Sequence, residues 1–212
     1  MLRALTLLLV MLAGAARLAP PAAHGATASS CCAVDSPRVV RLMVRNHSRF
    51  SEADLGGVLD LVNRIWRPYG IDVERGTGPD AVSVVLASGR DLAPQDQSVP
   101  VLGITLFARG HALPFISLSL AAAEALAAGG DIGVIPFRAQ SPERRDAILR
   151  RMLGVALAHE MGHLLLDTTR HSSTGLLKAG LSTRELAYPE PDHLKLTPAQ
   201  QRQLCLCGDA AS

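Results

Sequence analysis

The stretch Ala158-His159-Glu160-Met161-Gly162-His163-Leu164-Leu165-Leu166 sets two histidines four residues apart, a glutamate after the first, inside an apolar run. Upstream, Ser141-Pro142-Glu143 reads as a helix start, with Ser at the cap, Pro at the first helical position and an acid in the first turn. The spacing predicts one helix from there to about Leu166. Ile148, Met152, Val155 and Ala156 fall on the face that carries His159 and His163, so both histidines belong to the packed side. Residues four apart share a helix face, so the two imidazoles can address one ion. Glu160 lies one step round, where it reaches a water on that ion rather than the ion itself. H-E-x-x-H on a helix is the pattern of zinc hydrolases, because two neutral imidazoles, one carboxylate and an open metal position are what metal-assisted hydrolysis needs. The plainer alternative is a partly buried helix whose histidines only make hydrogen bonds.

A hydrolytic zinc site usually takes a third protein ligand. His171 is the leading candidate, standing beyond a helix stop at Asp167, a residue type that tolerates left-handed backbone geometry. Asp167 itself could serve only if the helix broke early, since ligands on three successive helical turns would span about 12 Å. Glu185 or Glu190 could serve from a second helix, and His193 if the last loop folds back.

The two ends of the chain speak about compartment. Met1-Leu2-Arg3, the apolar run Ala4 to Ala16 and the small residues that follow resemble a secretory signal peptide, assigned here to residues 1–25. That segment contains Arg3 and Arg17 and no acid, so the formal charge of +2 falls to 0 for residues 26–212. Such a balance argues against a nucleic-acid partner. No later apolar stretch is long enough to span a bilayer, so the membrane is expected to matter only through the signal peptide. A secreted or periplasmic location follows. There Cys31, Cys32, Cys205 and Cys207 are expected to form disulfides tying the two ends together, with connectivity left open.

Between the ends the pattern is one α+β domain, residues 26–212. Strands are expected at Arg38 to Arg45, Ile71 to Val73, Ala81 to Ala87, Val101 to Ala108 and Pro114 to Leu118, with a turn at Asn46 to Ser48 and a loop at Asp91 to Pro100. Ser51 caps a helix whose Leu55, Val58, Leu59, Leu61, Val62, Ile65 and Trp66 make a broad apolar face, ended by Pro68 and Gly70. Ala121 to Ala128 is a short Ala-rich helix, and Thr197-Pro198 opens the last one. Val101 to Phe107 is the candidate edge for an extended peptide, with an ordinary buried strand as the alternative.

On these residues the chain resembles the metzincins, a clan of zinc endopeptidases with the motif H-E-x-x-H-x-x-G-x-x-H and a Met-containing turn. His159, Glu160 and His163 match. The Gly position is Leu166 and the third-His position is Thr169. His171-Ser172 resembles the His-Ser of matrix metalloproteinases, and the turn Met falls on Leu177. The stretch is closer still to small secreted bacterial metzincin-like proteins with the pattern H-E-x-G-H-L-L-L-G-x-x-x-H-S-x-x-G-I-M, in which Asp167 stands for Gly and Leu177 for Met. The resemblance implies a zincin-like mixed sheet with a backing helix and an active-site helix. It further implies Zn2+ on His159, His163 and His171, Glu160 as general base, and a peptide or protein substrate. A different class of function also fits: a secreted zinc-binding or interaction protein that cleaves nothing. A base beside the first ligand favours the enzyme, since a structural site has no need of one.

Overall fold

The structure is a computed structural model and describes residues 37–89 and 100–209, with side chains as far as Cys205. The expected signal peptide and Cys31 and Cys32 lie outside the described residues, as do the side chain of Cys207 and most of the loop before Pro100. Cys205 is not without a partner. No helix among the described residues is long and apolar enough to cross a membrane.

Alternating burial makes the first strand, β1 (Arg38–His47), one-sided: Val40 and Leu42 face the core while Val39 and Arg41 face out. It runs on through Asn46 and His47, and the turn comes after them. Asn46 explains the difference, since its Oδ1 accepts from the Ser48 amide at 3.0 Å and its Nδ2 donates to Phe50 O at 2.7 Å, closing the turn from the strand end. Ser51 and Asp54 then form a reciprocal capping box that starts α1 (Glu52–Trp66). All seven apolar residues expected on its inner face are buried. Gly70, at φ 71°, turns the chain into β2 (Ile71–Arg75), followed by β3 (Val82–Ala87).

β4 (Gly103–Ala108) and β5 (His111–Ser119) form a hairpin on a two-residue turn. Arg109 (φ 53°) and Gly110 (φ 88°) are both left-handed, which matches the twist of paired strands. Partner residues step from Thr105–Ile116 to Phe107–Ala112, leaving Leu113 and Pro114 in a bulge. Proline cannot donate to a ladder, and a bulge is where it can sit. The sheet order is β2-β1-β3-β5-β4, with only the β4–β5 pair antiparallel. The architecture is therefore α+β with a five-stranded mixed sheet, and β2 and β4 are its edges.

Ser119 caps α2 (Leu120–Gly129), and Ser141 caps α3 (Pro142–Leu165), which matches the span expected from the sequence. α3 packs against α1 and across β5 and β4. Ile148, Leu149, Met152, Leu153 and Val155 are fully buried there, each contributing roughly 1.5–3 kcal/mol of burial. Four short elements escape sequence reading, α4 (Thr183–Ala187) and the 3-10 turns at Arg67–Tyr69, Phe137–Ala139 and Pro191–Leu194. α5 (Pro198–Asp209) closes the described chain.

The approach of α1 to α3 rests on Gly154. A Cβ there would lie 2.8 Å from Leu61 Cδ2 and 3.1 Å from Leu61 Cβ, an atom tied to the helix backbone. Alanine's better helix propensity offsets up to about 1 kcal/mol of that crowding, so the bulkier Gly154→Val is the sharper test. It is expected to lose about 1–3 kcal/mol through overpacking. Urea unfolding should show a lower midpoint at unchanged m-value, and an unchanged midpoint would mean that α1 can withdraw freely.

Candidate metal centre

The last two turns of α3 carry His159, Glu160 and His163, and the end of that helix brings the chain back over them. Asp167 takes φ 44°. The Asp167 amide then reaches Leu164 O at 3.2 Å and the Thr168 amide reaches His163 O at 3.1 Å, the bond pattern of a Schellman stop. The reversal brings His171 against the helix. Its ring stacks on His159 with centroids 5.3 Å apart and meets His163 edge-on at 4.8 Å.

The Nε2 atoms of His159 and His163 are 3.1 Å apart, and those of His163 and His171 are 3.3 Å apart. All three ligand atoms lie within 4.8 Å of one another. A tetrahedral ion with nitrogen bonds of about 2.0–2.1 Å keeps its ligand nitrogens about 3.3–3.4 Å apart, and the two spacings that involve His163 fit. Hydrogen bonding says the same. His159 Nδ1 lies 2.7 Å from Leu176 O, and His163 Nδ1 lies 2.7 Å from Thr168 O. A carbonyl only accepts, so each Nδ1 carries a proton, and in the neutral ring the Nε2 presents a lone pair. Two lone pairs facing each other at 3.1 Å repel unless a cation lies between them. A proton is a poor candidate for that cation at neutral pH, because burial, with help from the neighbouring imidazoles, pulls the His159 pKa down to about 4. His163 is buried and His171 exposed, leaving one side of the cluster open. The donor set therefore suits a metal ion with an accessible position.

Glu160 sits beside this cluster at 8% exposure, under β4. Thr105 Oγ1 lies 2.8 Å from Glu160 Oε2 and 2.9 Å from the Glu160 carbonyl, so its hydroxyl can serve either. Burial pushes the Glu160 carboxyl up from its usual range, against the pull of Thr105. A Cβ on Gly103 would come within 2.8 Å of Glu160 Cγ, so the strand can lie this close only with glycine there. A glycine inside a strand is a readable sign of close approach. Thr105 left no such sign, because its role depends on strand register.

No protein-family model matches this chain, and no curated protein matches it.

The alternative third ligands are engaged elsewhere. Asp167 Oδ1 accepts from the Ala112 amide at 2.6 Å, and its Oδ2 meets His111 Nδ1 at 2.7 Å. Those bonds, the amide first, hold its carboxyl below the ordinary aspartate range. Glu185 caps α4 with Ser182 and pairs with Lys178 at 2.8 Å, and its pKa falls to about 2, with Lys178 the larger cause. Glu190 and His193 face each other at 3.6 Å, both exposed. The floor under the histidines is tight. Leu177 is fully buried, and a Cβ on Gly162 would meet Leu177 Cδ2 at 2.7 Å. Gly175, at φ 79°, leaves no room for a side chain beside Lys195 O.

A cleft of about 560 Å³ runs past the histidines, with Gly103 and Thr105 of β4 on one side and Lys178 to Leu181 on the other.

The neutral His159 makes the metal-free protein acid-sensitive. Unfolded, it takes up a proton near 6.5; folded, it resists until about 4. Between those values the unfolded chain binds more protons, so stability falls as the pH is lowered through the window, by up to about 3 kcal/mol. Urea midpoints of chelator-treated protein from pH 7 to 4 should show the decline, and His159→Gln should flatten it. Equal slopes in the two proteins would remove His159 as the source.

Proposed function

We propose that this chain is an exported, zinc-dependent endopeptidase of the metzincin-like type, with His159, His163 and His171 as ligands and Glu160 as general base. The observation that carries the reading is the convergence of three imidazole Nε2 atoms beside a buried carboxylate. Both face a cleft walled by an edge strand. Zinc on these nitrogens would polarise a carbonyl and acidify a water. No fourth protein ligand stands among the described residues that would close the site.

The chain's own groups supply the rest. Glu160 Oε1 carries no hydrogen bond among the described residues and is free to take the proton of the attacking water and pass it to the leaving nitrogen. Thr105 holds the other oxygen, fixing the carboxylate plane. Burial raises the basicity of Glu160, which suits a base working near neutral pH. β4 offers free backbone groups to an extended peptide by strand addition. Leu126, Leu181 and Leu186 give the cleft an apolar wall beside the ligands, suited to a hydrophobic side chain.

Glu160→Gln should lower peptide cleavage by at least about 10²–10⁴-fold while leaving bound zinc at one per chain, measured by elemental analysis beside a peptide-library digest. Activity that persists in this variant would overturn the mechanism. His171→Ala tests the third ligand: the bound zinc should largely disappear, and retention of one zinc per chain would remove His171 from the ligand set. A second reading, a zinc-binding protein that cleaves nothing, is favoured by one feature, the burial of Glu160 under β4. Wild-type protein holding zinc and cleaving no member of the library would support it.

A further inference from the structure

A second groove lies away from the histidines, between the end of α1, the first half of α3 and the chain from Tyr188 to Lys195. Its volume is about 1100 Å³, roughly twice that of the cleft at the histidines. Leu61, Ile65 and Leu194 supply an apolar floor, while Tyr69 and Tyr188 stand in the walls. Four cations line it, Arg64, Arg144, Arg151 and Lys195, against one carboxylate, Glu190. Lys195 is held by Asp192 at 2.6 Å, and Glu190 faces His193. Among the described residues no carboxylate pairs with Arg64, Arg144 or Arg151.

Arg151 is the unusual one. It is half-buried, its Nε donates to Ala187 O at 2.6 Å, and its guanidinium lies 5.3 Å from the Tyr188 ring centre. Its neighbour Arg150, by contrast, has Asp54 at 2.7 Å. Buried charge is normally paired, because desolvation disfavours it otherwise, and here burial does work against the Arg151 charge. The groove thus holds a fixed guanidinium with no counter-ion, and two more arginines in reach of the same ligand.

Arg144 and Arg151 are seven residues apart on α3, two turns on one face, about 10.5 Å along the axis. Three residues of a polyproline-II segment cover about 9 Å and bring side chains i and i+3 back to one face. We infer that this groove binds an acidic peptide segment in the polyproline-II conformation, with carboxylates three residues apart meeting Arg144 and Arg151 and apolar side chains between them lying on Leu61, Ile65 and Leu194. Arg64, on the adjacent helix, meets a flanking carboxylate. The apolar floor favours such a segment over a sugar-phosphate backbone. The inference does not depend on the hydrolytic reading, since binding here needs no metal and no cleavage.

The test is fluorescence anisotropy on the metal-stripped protein, using a short fluorescein-labelled peptide with glutamate at every third position and leucine between. The control peptide carries glutamine in place of glutamate. The glutamate peptide should bind at least about tenfold more tightly, and more weakly as salt is raised. Arg64→Glu and Arg144→Glu are exposed changes and should each weaken it at least about fivefold at unchanged thermal midpoint. Equal binding of the two peptides, no binding, or indifference to both substitutions would overturn the inference. So would full displacement of the peptide by an equimolar single-stranded oligonucleotide or by laurate, which would assign the groove to a different anion.

Discussion

The imidazoles of His159 and His163 each direct a proton at a main-chain carbonyl, Leu176 O in one case and Thr168 O in the other. Everything distinctive about the site depends on those two bonds. They choose the tautomer, and the tautomer turns both Nε2 lone pairs toward one point. Each carbonyl is itself placed by a local reversal of the chain. Thr168 is the residue just past the Schellman stop, so the device that ends α3 also orients His163 on its last turn. Leu176 lies in the turn that returns under the helix, and its amide is tied to Lys195 O at 3.1 Å.

That turn is clamped from a distance. Gln203 donates to Leu166 O at 2.6 Å, and Gln200 lies 3.3 Å from Ser172 Oγ, so α5 grips the loop on both sides of His171. The fit of Leu177 into the space left by Gly162 completes the floor.

Helices were legible from sequence because their signals are local. Ser51 and Ser141 cap where expected, and the apolar period of α1 names its buried residues one by one, whereas α3 is buried nearly all round from Met152 and its period shows only part of that. The pair His159 and His163 was legible for the same reason, since a helix alone places both. His171 was legible less directly, through the left-handed Asp167 and the turn it makes. Strand existence could be read, but the edge position of β4 could not, because neighbours in a sheet are a property of topology and not of alternation. Thr105 as a partner of Glu160 was invisible on the same ground: a one-residue slip of β4 would point it away. α4 was missed because one short turn leaves too little periodicity, although its capping box, Ser182 with Glu185, stands in the sequence. Asp167, weighed as a ligand, turned out to hold the hairpin instead.

The hairpin is fastened to α3 at two separate places. Asp167 binds its tip through His111 and Ala112, and Glu160 binds its middle through Thr105. Both fastenings are on a single stretch of α3 and its cap, about 10 Å apart at the helical rise. A hairpin pinned to one helix through both of its strands, Thr105 on β4 and His111 and Ala112 on β5, is a beam on two supports, not a flap. The cleft therefore has one wall whose position is set by helix geometry. Its facing wall, Lys178 to Leu181, is carried by a turn. The two walls are therefore held by different means, one by a helix through two side chains and the other by a turn that Lys178 ties to Glu185 of α4 at 2.8 Å.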